Sequence, residues 1–139
     1  MDLTLAIIKP DAVKAGQTGP IIQALESSGF TIAALKKLHL TKAQAQGFYH
    51  VHRERPFFND LTDFMSQGPC LVMVLAAEGA IPKWRELMGA TNPAEAAEGT
   101  LRARFGTNIE HNAVHGSDAP ETAEFEIGYF FSALEIVHQ

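Results

Sequence analysis

The sequence predicts an α/β or α+β fold, in which helices cover one face of a small sheet. Three observations lead there. The runs LTLAIIKP (3–10), FTIAALKKLHL (30–40) and CLVMVLAA (70–77) are apolar and rich in strand-forming residues. Between them lie stretches whose apolar residues recur at helical spacing, as in IIQALESS, where Ile21, Ile22, Ala24 and Leu25 share a face. Finally, 139 residues, 46% hydrophobic and 19% charged, suit one domain over 1–139 with a core of its own.

Each element has a local reason. Pro10 stops the first strand and leaves Lys9 and Asp11 at its polar corner. Pro20 opens a helix that Gly29 closes. Thr41 is the expected N-cap of a helix through AQAQGFYHVH, which RPF breaks before a short helix at NDLTDFMSQ. Gly68-Pro69 introduces the third strand, and a helix around PKWRELMG follows. After the loop TNPAEAAEG comes a short helix at TLRARFG, then an irregular stretch. PETAEFEIGYFF closes the chain as an amphipathic helix, with Asp118 and Glu121 at capping-box spacing. His115 is thereby placed in a loop before that helix. Three or four strands interleave with these helices, and their order is open.

Composition excludes several classes of function. A net charge of −5 and a pI near 5.6 disfavour a protein that holds nucleic acid through bulk charge. The single cysteine, Cys70, lies in an apolar run, so no intrachain disulfide or C-x-x-C site forms, and a buried core role is expected. The first apolar run is too short and wrongly flanked for a leader or a membrane span, so a soluble, cytoplasmic protein is expected.

No Gly-rich phosphate loop of either common type is present. Phosphate binding would therefore fall to side chains. Lys83, Arg85, Thr91, Arg102 and Arg104 supply cations and a hydroxyl, although Glu86, Glu95 and Glu98 nearby also fit ordinary surface ion pairs. In RPFF, Phe57 and Phe58 are core residues or a platform on which a base stacks. Of the six histidines, His111 and His115 could share a metal, but zinc would need three or four converging ligands, and His50 and His52 diverge on a helix.

NAVHGSDAPETAEFEI leaves three readings of His115 open: a turn residue, a metal ligand, or a reactive centre. Gly116 and Ser117 would permit close approach of a ligand. Glu126 stands where a helix can bring its carboxylate back against one imidazole nitrogen, leaving the other as a nucleophile.

Taken with IIKPDAV, RPFF, GPCLVMVL, MGATNPAEA, GTLRARFG and the E-I-G that follows NAVHGSD, the chain resembles the nucleoside diphosphate kinases over essentially its whole length. The resemblance implies a ferredoxin-like fold with a four-stranded antiparallel sheet. It also implies a ping-pong transfer of the γ-phosphate of ATP or another nucleoside triphosphate to a nucleoside diphosphate, through phosphohistidine on Nδ1 of His115. Glu126 and Ser117 would hold the ring, with Tyr49 supporting the site. Lys9 and Asn112 match positions that contact ribose and phosphates, and Arg85, Thr91 and Arg102 match phosphate-binding positions. Phe57 matches the base-stacking aromatic, Ile109 an apolar residue across the base, and His52 an additional polar contact. Mg2+ would arrive on the nucleotide, with no dedicated protein site. The partners implied are nucleotides and further copies of the chain, as a tetramer or hexamer, with dimers also open; neither a membrane nor nucleic acid is among them. Glu110-His111 departs from the Gly-Arg of many members, Ala12 replaces a glycine, and PAEAAEG lacks a Lys-Pro; none of these removes a matched catalytic group. The alternative is a regulatory interaction module on the same fold, and a histidine-based metal carrier ranks last.

Overall fold

The computed structural model describes residues 1–138. Its centre is a four-stranded sheet in the order β2-β3-β1-β4. The strands are β1 (Asp2–Ile8), β2 (Thr31–Leu38), β3 (Cys70–Ala77) and β4 (Val114–Gly116), and every neighbouring pair is antiparallel. This is the ferredoxin-like arrangement that the resemblance implies. The helices are α1 (Pro10–Lys14), α2 (Thr18–Ser27), α3 (Lys42–Phe48), α4 (Phe58–Ser66), α5 (Ala80–Met88), α6 (Leu101–Phe105) and α7 (Pro120–Phe130), with single 3-10 turns at His50–His52, Pro93–Glu95 and Ala133–Glu135.

Helices cover both faces of the sheet, not one as expected. The cause lies in the central strands, where β1 and β3 are apolar at both parities and so must be buried twice over. On one face Ala6, Ile8, Met73 and Leu75 pack with Ile21, Leu25 and Trp84 of α2 and α5. On the other, Leu5, Ile7, Val72 and Val74 pack with Phe48, Phe64, Met65 and Phe130 of α3, α4 and α7. Cys70 belongs to this second core, and burial pushes its thiol up to about 11, away from reactivity.

Local signals held at several element ends. Thr41 caps α3 in a full capping box with Gln44, although α3 ends at Phe48 and 50–52 tighten into a 3-10 turn. Elsewhere the boundaries differ. Pro10 does not merely end β1; it takes the first turn of α1, where its missing N–H costs nothing. α2 begins at Thr18, two residues before Pro20. The fourth strand falls on three residues of NAVHGSD, so His115 lies on β4 and not in a loop.

Candidate active site

β4 is held by pairing, not by its own propensity. Ile7 faces His115 and Ala6 faces Gly116 in the antiparallel register with β1. Side chains alternate across a strand, so His115 takes the face of Ile7, Phe48 and α7, while Gly116 takes the face of α5. Just upstream, Ala113 sits at φ 72. A left-handed alanine costs on the order of 1 kcal/mol. It is retained because Lys9 N–H donates to the Ala113 carbonyl at 2.8 Å and Ala113 N–H donates to Asp11 Oδ2 at 3.1 Å. The K-P-D corner and the histidine segment are thus one unit.

The imidazole of His115 is enclosed by Phe48 and Tyr49, both edge-on, with centroids 5.4 and 6.0 Å away. Its Nε2 lies 3.0 Å from Glu126 Oε1. The same carboxylate oxygen accepts from the Ser117 hydroxyl at 2.9 Å, and that hydroxyl accepts from Leu5 N–H at 3.2 Å. A buried carboxylate that already accepts one proton donor requires the imidazole to donate as well. Nε2 therefore carries the proton, and Nδ1 keeps its lone pair. The His115 carbonyl accepts from the indole of Trp84 at 3.1 Å, tying the strand to α5.

Two cations are held against the segment that leads into His115. Lys9 Nζ donates to Asn112 Oδ1 at 2.8 Å, and Asn112 Nδ2 donates to the Thr91 carbonyl at 3.0 Å. Burial, then repulsion from Arg102, lowers Lys9 to about 8, against some support from Asp11. Arg102 donates through Nη1 to the Gly89 carbonyl and through Nη2 to the Val114 carbonyl, both at 2.9 Å. Burial, then the charge of Arg85, lowers it to about 10, so it stays cationic. Its Nε is buried without a partner, and so is the Tyr49 hydroxyl. Burial, with the nearby Glu126 charge, raises Tyr49 far above its ordinary value, so that hydroxyl remains a donor. An unspent guanidinium donor on Arg102 suits an anion with several oxygens.

A model of the nucleoside diphosphate kinase family matches residues 2–136. The chain belongs to the nucleoside diphosphate kinase family. It is 67% identical to the nucleoside diphosphate kinase of Desulfovibrio desulfuricans over 98% of each chain, and 62% identical to that of Syntrophotalea carbinolica over 99% of this chain and 100% of the relative. Among solved structures it is similar to the Aquifex aeolicus nucleoside diphosphate kinase, with TM-score 0.96 and 48% identity over 98% and 99% of the two chains. It is also similar to the Halobacterium salinarum nucleoside diphosphate kinase in complex with CDP, with TM-score 0.95 and 36% identity over 99% and 92%. A nucleoside diphosphate kinase is a phosphotransferase that moves a phosphoryl group from a nucleoside triphosphate to a nucleoside diphosphate, and a phosphohistidine mechanism is characteristic of the family.

In this kinase the matched residues fall into linked groups. His115, Ser117 and Glu126 share hydrogen bonds, with Tyr49 against the ring; Lys9, Asn112 and Thr91 form a second chain; Arg102 joins β4 through Val114. Phe57 is 43% exposed with His52 tilted over it at 5.4 Å, and Ile109 is 57% exposed on the bend before Asn112. Arg85 is drawn instead to Asp118 at 2.8 Å. Among the described residues no group of three or more His, Cys, Asp or Glu could hold a metal, and the ring of His111 lies on Phe64 at 4.7 Å.

Two sequence expectations are corrected here. Asp118 does not cap α7; the N-cap is Ala119, without a side-chain bond, because Asp118 is spent on Arg85. Gly116 does not admit a ligand: a Cβ there would lie 2.5 Å from Trp84 Cδ1 and 2.6 Å from Met88 Cε, so the residue is small to let α5 pack. Reading the sequence also missed Phe48 and Trp84 as neighbours of the histidine. Both sit at apolar helical positions whose pattern signals burial but not what they touch.

Proposed function

We propose that His115 is the residue this kinase phosphorylates, on Nδ1, with the whole chain acting as one catalytic domain. The observation that carries the reading is the bond from Nε2 to Glu126 at 3.0 Å, which leaves Nδ1 as the nitrogen free to attack. In the first half-reaction the Nδ1 lone pair forms a bond to the γ-phosphorus of a nucleoside triphosphate. The bond from that phosphorus to the bridging oxygen breaks, and the nucleoside diphosphate leaves with the electron pair. Positive charge on the ring is offset by Glu126. In the second, a terminal β-oxygen of another nucleoside diphosphate attacks the same phosphorus, and the P–N electrons return to Nδ1.

Phosphoryl transfer is mostly positioning and charge compensation. Lys9, Arg85 and Arg102 take the phosphate oxygens, with the Arg102 Nε and Tyr49 hydroxyl as unspent donors. Thr91 adds a phosphate contact, Asn112 and Lys9 reach the ribose, and Phe57 and Ile109 flank the base beside His52. The CDP bound by the Halobacterium relative supports a nucleoside diphosphate as occupant. Mg2+ would be carried by the phosphates of the nucleotide, because it keeps most of its waters and Lys9, Arg85 and Arg102 suit phosphate oxygens. When bound it neutralises phosphate charge. The chain is proposed to assemble with itself as a tetramer or hexamer, which sedimentation equilibrium would distinguish, and to work in the cytoplasm.

Incubation with γ-labelled ATP and Mg2+ is expected to give acid-labile, alkali-stable label on the peptide holding His115, discharged by any nucleoside diphosphate. Label on another residue, or label stable in acid, would refute the assignment.

Lys9 sets a pH dependence. Its folded value of about 8 lies below its ordinary 10.5, so between these the unfolded chain binds a proton that the folded chain has lost. Stability in the absence of nucleotide therefore gains from this group as pH rises through that window. Nucleotide binding responds the other way, because phosphate prefers the charged amine. Nucleoside diphosphate affinity is expected to be several-fold weaker at about pH 9 than at about pH 7, and Lys9→Gln to flatten that slope. Calorimetric titration checks it; a wild-type Kd independent of pH would count against the lysine.

A further inference from the structure

We propose that Asp118 is a positioning residue that holds Arg85 while the site is free of nucleotide and yields it to an incoming phosphate. The inference rests on the reading of Arg85 as a phosphate-binding residue.

The three cations of the site are held in two different ways. Lys9 is held by an amide oxygen and Arg102 by two backbone carbonyls, all neutral acceptors. Their charges are oriented but not cancelled. Arg85 alone of the three is bound by a full negative charge, with Nη1 2.8 Å from Asp118 Oδ1. A phosphate recruiting Lys9 and Arg102 displaces no carboxylate bonded to them; one recruiting Arg85 must take it from a carboxylate.

Position and exposure make that exchange easy. Arg85 and Asp118 both line a cavity of about 880 Å3 between α5 and α7, to which His115, Lys9 and Arg102 contribute nothing. Paired in this way, the Arg85 guanidinium lines that cavity. Arg85 is close enough to Arg102 to lower it, so a carboxylate on Arg85 also eases the repulsion of gathering these cations before phosphate arrives. The two side chains are 46% and 74% exposed, a setting in which an ion pair is weak and screened. A multiply charged phosphate can displace the carboxylate into water at little cost. Asp118 lies one residue before Ala119, the N-cap of α7, and its carboxylate bonds Arg85 and no backbone N–H of that helix.

The experiment measures nucleoside diphosphate Kd by calorimetry, with KM and kcat alongside, for wild type, Asp118→Asn, Asp118→Glu, Arg85→Ala and the Asp118→Asn/Arg85→Ala double variant. Removing the competing charge is expected to tighten Kd by about two- to fivefold. KM should fall with it while kcat does not rise, Asp118→Glu should restore wild-type values, and the tightening should vanish in the Arg85→Ala background. A Kd for Asp118→Asn that is unchanged or weaker, while Arg85→Ala weakens binding, would overturn the inference alone. Wild-type affinity in Arg85→Ala would overturn the reading of Arg85 and the inference with it. A structural role for Asp118 would lower Tm and leave no Arg85-dependent gain in affinity.

Discussion

Replacing His115 with alanine is expected to lower turnover by at least about a thousandfold, a loss of roughly 4 kcal/mol of transition-state stabilisation. No other side chain in the cluster can take over. Glu126 and Ser117 are consumed in holding the ring, Lys9 and Arg102 are cations, and Tyr49 is pushed far toward its protonated form. Without a nucleophile, phosphoryl transfer would require both nucleotides in one cleft together. Nucleotide affinity should change little, because phosphate, ribose and base contacts come from other residues. Stability should fall modestly, by about 1 kcal/mol, since Glu126 loses one of two donors and Phe48 and Tyr49 lose an edge contact. Steady-state kinetics with a matched Kd measurement checks all three. A variant that keeps a tenth of wild-type turnover would remove His115 from the mechanism.

The second large effect is on the fold. Gly116→Ala is expected to destabilise the chain by about 3 kcal/mol, lowering Tm by roughly 10 °C. Room is the issue here, because the new methyl would sit 2.5 to 2.7 Å from Trp84 and Met88, two fully buried side chains. Trp84 also donates to the His115 carbonyl, so α5 cannot retreat without pulling on the catalytic strand. Activity should fall with stability. Gly128, whose added Cβ would meet nothing within 4 Å, is the matching control on α7. Thermal unfolding of the two variants decides it, and a Tm for Gly116→Ala within about 2 °C of wild type would mean that Trp84 and Met88 can yield to a methyl group.

Much of the site was legible because its signals are local. Lys-Pro-Asp after an apolar strand, Thr41 before a helix and Glu126 one helix beyond His115 are short-range patterns, and each leads to a structural consequence that the fold displays. The resemblance to one family then assembled residues that spacing alone could not bring together. Arg85, Arg102, Lys9 and Phe57 are far apart in the chain, and their charges and rings read as surface features by spacing alone.

Other features were invisible for a physical reason. β4 has three residues, too few for any period, and exists because β1 offers it an edge and Ala113 accepts a left-handed turn. Asp118 and Glu121 have the spacing of a cap, but an arginine on another helix offers Asp118 a charged partner. Gly116 reads as an opening for a ligand, but its face of the strand belongs to Trp84. By itself the sequence determined the apolar strands and most of the helices and made Glu126 a candidate partner for His115, because those follow from neighbours along the chain. Only the tertiary structure decided which face each β4 residue takes, what holds Arg85 and why residue 116 has no side chain, because those depend on contacts between segments that propensity and spacing do not encode.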